Sequence, residues 1–134
     1  MTNLVDPHGS DVLKPLIIKD KSEKDNIIIQ SKKLYQLKLN SAAAANAVML
    51  AAGYFTPLEG YMSKKDALSV SENMVTADGL FWPVPIINLT KEDIAGVRVG
   101  DEIALLDPNV EGNPVLAIQH IETIEKISDE DLSL

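Results

Sequence analysis

Apolar and polar positions alternate along this chain in several distinct rhythms, each predicting a different element. Between Ser22 and Leu34 a polar stretch gives way to Ile27-Ile28-Ile29. Ser22-x-x-Asp25 has the spacing of a capping box, which satisfies the first free N–H groups of a helix. Three consecutive β-branched residues favour a strand through their restricted χ1; with the cap spacing in front of them, we assign a helix over 27–34. Ala42 to Ala52 is a second helix: alanine has the highest helix propensity, Ser41 offers a capping hydroxyl, and Gly53 can take the left-handed conformation that ends it. Because this helix is apolar on nearly every side, the pattern predicts cover on more than one face. A third helix begins at Ser63 or Lys64, passes through Ala67, Leu68 and Val70 to about Met74, and is followed by a turn at Thr76 to Gly79.

From Leu80 the rhythm changes to short extended runs: Leu80 to Leu89, Glu102 to Leu106, and Val115 to about Ile127, with turns at Gly100-Asp101 and Asp107 to Asn113. Pro83 and Pro85 stand two apart, so their missing N–H groups fall on one side of the first run, which predicts an edge or a bulge there. Thr90-x-x-Asp93 predicts a capped helical turn before Gly96 that crosses between two strands. Helices followed by a compact antiparallel sheet make an α+β domain. With no repeat and no Gly/Ser or Pro-rich linker, residues 1–134 are expected to form one unit.

Composition narrows the function classes. Apolar residues at 46% and charged residues at 24% fit a globular chain rather than a disordered one. Zero cysteines exclude disulfides and thiolate metal sites, leaving His8 and His120 as nitrogen ligands. Met1 to Gly9 lacks the basic start and apolar run of a signal peptide, and Ala42 to Ala52, interrupted by Asn46, falls short of the roughly 20 residues a bilayer span needs. A cytoplasmic protein with no membrane partner is expected. Residues 1–38 carry seven basic and five acidic side chains, net +2, and residues 39–134 carry five basic and fifteen acidic, net −10, summing to −8. Such a surface repels phosphate backbones, so a nucleic-acid partner is disfavoured.

Of the six aromatic residues, Tyr54, Phe55, Tyr61, Phe81 and Trp82 fall into two clusters. Packing under the long helix is the ordinary explanation in a domain of this size. The alternative is that they face a neighbouring domain, where aromatic anchors flanking Pro57-Leu58 would dominate the interface energy. On that reading Phe55, Pro57, Leu58, Tyr61, Met62, Phe81 and Trp82 are candidate interdomain contacts. His8 has only Asp6 and Asp11 nearby in sequence, too little to make it an acid or base, and His120 belongs to the polar face of a strand. The pairs Asp101-Glu102 and Glu92-Asp93 and the run Asp129 to Asp131 lack the ligand spacing of a calcium loop; Asp101 is expected to stabilise its turn and the final acidic run to be a solvated tail. No phosphate-binding loop and no Ser-His-Asp or Cys-His arrangement can be read. The residues themselves supply no catalytic set, no cofactor-binding residue and no metal ligand.

Read as blocks, Leu4-Val5-Asp6-Pro7-His8-Gly9, Gly53-Tyr54-Phe55-Thr56-Pro57-Leu58-Glu59-Gly60-Tyr61-Met62 and Gly79-Leu80-Phe81-Trp82-Pro83-Val84-Pro85 resemble the amino-terminal domain of ATP sulfurylase (sulfate adenylyltransferase). Together with Ser41 to Leu50 they look closest to the dissimilatory prokaryotic branch. The resemblance implies a PUA-like β-barrel with helical additions, and a parent enzyme that joins ATP and sulfate into adenosine 5'-phosphosulfate and pyrophosphate, or runs the reverse. In that family the chemistry lies in a following domain with a Gln-x-Arg-Asn-Pro-x-His-x-x-His stretch, which this sequence lacks. Asn113-Pro114 follows Val110-Glu111-Gly112 and reads as a turn, and Arg98 is the sole arginine. The resemblance therefore implies a non-catalytic chain, inactive alone, that scaffolds a catalytic domain binding ATP and magnesium, with a homo-oligomer formed through the full-length enzyme. A free-standing PUA-like module for a protein, or less readily RNA, is the alternative.

Overall fold

In a computed structural model, described here over residues 6–91, 94 and 96–132, four helices and three strands follow one another in the order α1 (Lys21–Ser31), β1 (Tyr35–Lys38), α2 (Ser41–Ala51), α3 (Lys64–Asn73), β2 (Glu102–Leu106), β3 (Val115–His120) and α4 (Asp129–Leu132). The helix containing the three isoleucines forms as expected, but its cap is Asp20, whose carboxylate accepts from the Ser22 amide, so Ser22 lies inside the first turn. It also ends at Ser31, short of Leu34, where the Leu34 amide turns back to the Ser31 carbonyl.

The residues just beyond it were not foreseen as a strand. Tyr35-Gln36-Leu37-Lys38 forms β1, with Leu37 buried between exposed Gln36 and Lys38. It pairs in parallel with β2, Tyr35 opposite Ile103 and Lys38 opposite Leu106, while β2 pairs antiparallel with β3, Glu102 opposite His120. The sheet is therefore mixed, in the order β1-β2-β3, rather than wholly antiparallel. Parallel neighbours need a long crossover, and α2, α3 and the chain between them supply it.

At α2, Asn40 rather than Ser41 is the cap. Its extended backbone lets the side chain accept from the Ala43 amide at 2.7 Å, while the Ser41 hydroxyl donates to Asn109 Oδ1. Gly53 takes φ +83°, and a Cβ there would stand 3.2 Å from the Pro15 backbone nitrogen, so both conformation and space require glycine. The helix buries Ala43, Ala44, Ala47 and Leu50 but leaves Ala42, Ala45, Val48 and Met49 exposed. Cover on more than one face, expected from its composition, is thus not provided by the described residues. Helix α3 follows its prediction: Ser63 caps it by accepting from the Asp66 amide, and Met74 ends it with a left-handed backbone.

The expected strand over Leu80 to Leu89 does not join a ladder. Phe81 makes an isolated bridge with Val75, the Trp82 amide donates to Met74 O, and Met62 N donates to Ile86 O, but Pro83 and Pro85 have no N–H to extend either contact. Strand β3 likewise ends at His120 rather than near Ile127, because the Ile121 amide turns to Asp101 O and the Ile121 carbonyl accepts from Gly100. The Asp101 carboxylate accepts from the Arg98 amide, bracing that turn as expected. The helical turn expected at Thr90 to Asp93 falls largely outside the described residues. The acidic run is not a free tail: Ser128 and Asp131 cap each other's amides, and Asp131 pairs with Lys64 at 3.1 Å. Among the described residues no helix is long and apolar enough to cross a membrane.

Two apolar clusters hold these elements together. One joins Leu37 and Leu39 of the β1 region, Ala43 and Ala44 of α2, Ile103 and Leu105 of β2, and Ile121. The other joins Leu50, Val70, Trp82 and Ile86, with Phe55, Leu58, Met62 and Leu80 packed around it. Tyr61 touches both, and its hydroxyl donates to Ala43 O at 2.6 Å.

Candidate functional site

The two aromatic segments meet, and they divide between interior and surface. Trp82 is buried at 7% exposure, with the edge of Phe55 against its ring at 5.9 Å between centroids. Phe55, Leu58, Tyr61 and Met62 pack half-buried on the cluster to which Trp82 belongs. Pro57 is half-buried. Phe81 points outward with 54% of its surface exposed, and Tyr54, adjacent to the packed Phe55, is 74% exposed.

Local structure fixes the backbone at both outward rings. Tyr54 follows the left-handed Gly53, and its amide donates to Met49 O at 3.0 Å. Below it, the Thr56 hydroxyl donates to Gly53 O and accepts from the Lys14 amide, and the Thr56–Pro57 peptide is cis. Phe81 is held by its bridge to Val75.

The amino-terminal segment closes the site from one side. His8 donates from Nε2 to the Phe81 carbonyl at 2.7 Å, a contact that requires the proton on Nε2 because a carbonyl only accepts. Its ring stands edge-on to Phe81 at 6.4 Å and tilted against Trp82 at 5.9 Å. Gly9, with φ +67°, passes so near Leu80 that a Cβ would lie 3.0 Å from a Leu80 methyl. His8 is therefore a packed strut with a backbone partner, whereas His120 is exposed at the end of β3. His8, Tyr54, Thr56, Phe81, Trp82 and Pro83 enclose an open notch of about 260 Å³ with no charged side chain in its wall.

This arrangement offers aromatic faces and no reactive group. Among the described residues no three His, Asp or Glu side chains stand where they could hold a metal ion. The Tyr61 hydroxyl is pushed up to about 12 by burial, which makes it a structural donor rather than a proton shuttle. Sequence reasoning omitted Tyr54 from the candidate contacts and gave His8 no partner; the adjacent Gly53-Tyr54 pair, which ends a helix and redirects the chain, was the available signal for the first, and nothing local signalled the second.

The helical and mixed-sheet architecture is matched by comparison: the chain belongs to the PUA-like domain family, whose pattern covers residues 5–132. The α+β, PUA-like class expected from the sequence is borne out. The chain is 51% identical over 132 residues to a sulfate adenylyltransferase of Alcanivorax borkumensis, covering 98% of this chain and 33% of the relative. A sulfate adenylyltransferase of Allochromatium vinosum is 42% identical with the same coverage, 98% and 33%. In structure, a hexameric APS kinase from Thiobacillus denitrificans superposes with a TM-score of 0.75 at 27% identity, over 95% of this chain and 25% of that one. The chain spans about a third of the length of these curated relatives.

Proposed function

We propose that this chain is the non-catalytic amino-terminal domain of a cytoplasmic sulfate adenylyltransferase, a single unit that supports the catalytic remainder of the enzyme and a homo-oligomer formed through it. The observation that carries this reading is the 51% identity over 98% of the chain to a relative of which it makes up only 33%. In the reaction, a sulfate oxygen attacks the α-phosphorus of ATP, the bond to the bridging oxygen of pyrophosphate breaks, and adenosine 5'-phosphosulfate forms. Bringing these anions together requires fixed cations at the reacting centre. A chain of net charge −8 whose only arginine, Arg98, sits in an exposed turn does not provide them. No side chain here is assigned to ATP or to its magnesium, and the chain's part is to present a folded surface. The purified chain, given ATP, magnesium and sulfate, is expected to release no pyrophosphate above the blank. Turnover by the pure chain would defeat the proposal.

A further inference from the structure

The notch of His8, Tyr54, Phe81 and Pro83 and the outer face of α2 are both apolar and uncovered, yet they differ in build. The α2 face is a convex stripe of Ala42, Ala45, Val48 and Met49. The notch is concave, and the backbone that carries its rings is held by the contacts of Gly53, Thr56, Val75 and His8 described above. Exposed aromatic side chains in a concave surface are favoured anchors of protein interfaces.

We infer that this notch is where the chain receives the remaining two-thirds of a sulfate adenylyltransferase polypeptide, with Tyr54 and Phe81 as the anchors and His8 as the residue that positions Phe81. This rests on the proposed function. Two observations select that occupant. The relatives extend over about three times the length of this chain, so a large covalently linked body is at hand. The wall of the notch carries no acidic or lysine side chain and its outward rings are apolar, which suits a partner surface that stays buried against it, as a covalently linked body would.

The test uses a hybrid in which this chain replaces the corresponding third of the Alcanivorax borkumensis relative, compared with the 134-residue chain by hydroxyl-radical modification and mass spectrometry. Modification of Tyr54 and Phe81 is expected to fall at least about fivefold in the hybrid, as for anchors in a desolvated interface centre, while Met49 on α2 keeps its rate. An active hybrid with Tyr54 and Phe81 as reactive as in the chain alone overturns the inference and leaves the proposed function standing. A hybrid that lacks sulfate adenylyltransferase activity and shows no protected residue overturns both. Protection of Tyr54 already present in the chain alone and rising with its concentration assigns the notch to a second copy, and also overturns the inference. As a further arm, Tyr54→Ser with Phe81→Ser is expected to lower the hybrid's melting temperature more than that of the isolated chain; equal shifts in the two would count against docking. His8→Ala should weaken the protection of Phe81, and His8→Gln, which keeps a donor, should restore it.

Discussion

The two apolar clusters are built on opposite plans. The first is organised by backbone pairing: Leu37, Ile103 and Leu105 project from paired strands whose register sets their spacing, and Ala43 and Ala44 let α2 approach closely. The second has no ladder beneath it. Leu50 and Val70 come from two helices, but Trp82 and Ile86 come from proline-bearing irregular chain, and large side chains supply the order that hydrogen bonding does not. The contrast teaches where function can sit. At the ladder-built core the one strand aromatic, Tyr35, packs half-buried, whereas the irregular core turns Tyr54 and Phe81 outward beside their packed neighbours Phe55 and Trp82.

The sharpest way to break this comparison is to excavate the first cluster and watch the second. Leu105→Ala should cost about 2–5 kcal/mol, as for other buried leucines, and Trp82, the only tryptophan, reports on the second cluster by fluorescence. A single urea transition at a lower midpoint, seen alike by fluorescence and circular dichroism, is expected. If the tryptophan transition stays in place while the sheet melts, the clusters are independent units. Next in size, Asn40→Ala should cost about 1 kcal/mol through loss of the α2 cap, while Ser41→Ala should leave the denaturation midpoint almost unchanged. The reverse result would restore the hydroxyl as the cap.

Tyr61 is the polar link between the clusters, and Tyr61→Phe should cost about 1 kcal/mol or less. Its pH dependence follows from burial. The folded state holds the phenol up to about 12 against an ordinary 10.0, so its contribution is complete below pH 10 and is lost as pH rises through about 12. An alkaline melting series should show that loss, and Tyr61→Phe should flatten it. The smallest effect is expected far from either core. Ser128 and Lys64 hold the Asp131 carboxyl below the usual carboxylate range, so its contribution is present at neutral pH and disappears only in acid, as pH falls through that lowered value. Lys64→Ala should shift the melting temperature by little, since solvent screens an ion pair at this exposed end of the chain.

Much of the helical half was legible in the sequence because its signals are local. Helix α3 began at the Ser63–Lys64 boundary as read, Gly53 took its positive φ, and the isoleucine run folded as a helix against its β-branched propensity. The strands were harder because their partners are distant. Tyr35, Leu37 and Leu39 alternate with polar residues, a period-two signal that the preceding helix concealed, and nothing near them announces Ile103 and Leu105 as partners. Over Leu80 to Leu89 the apolar composition suggested a strand, and the two prolines that removed its donors were read as an edge or a bulge rather than as the end of pairing. The candidate site was legible as residue types only. Tyr54 and Phe55 leave the turn at Gly53 in opposite directions, and Phe81 and Trp82 meet a histidine 73 positions before Phe81.

The pairing of Tyr35 with Ile103, 68 positions later, has a consequence for synthesis. On the ribosome, β1 and the first two helices leave the exit tunnel well before β2 is made, and the closure of so long a loop must wait for it. Until then Leu37 and Leu39 have no sheet to join and the buried face of α2 has no floor, so a nascent chain paused short of Leu106 would present that apolar face to whatever chaperone or neighbouring polypeptide reached it first.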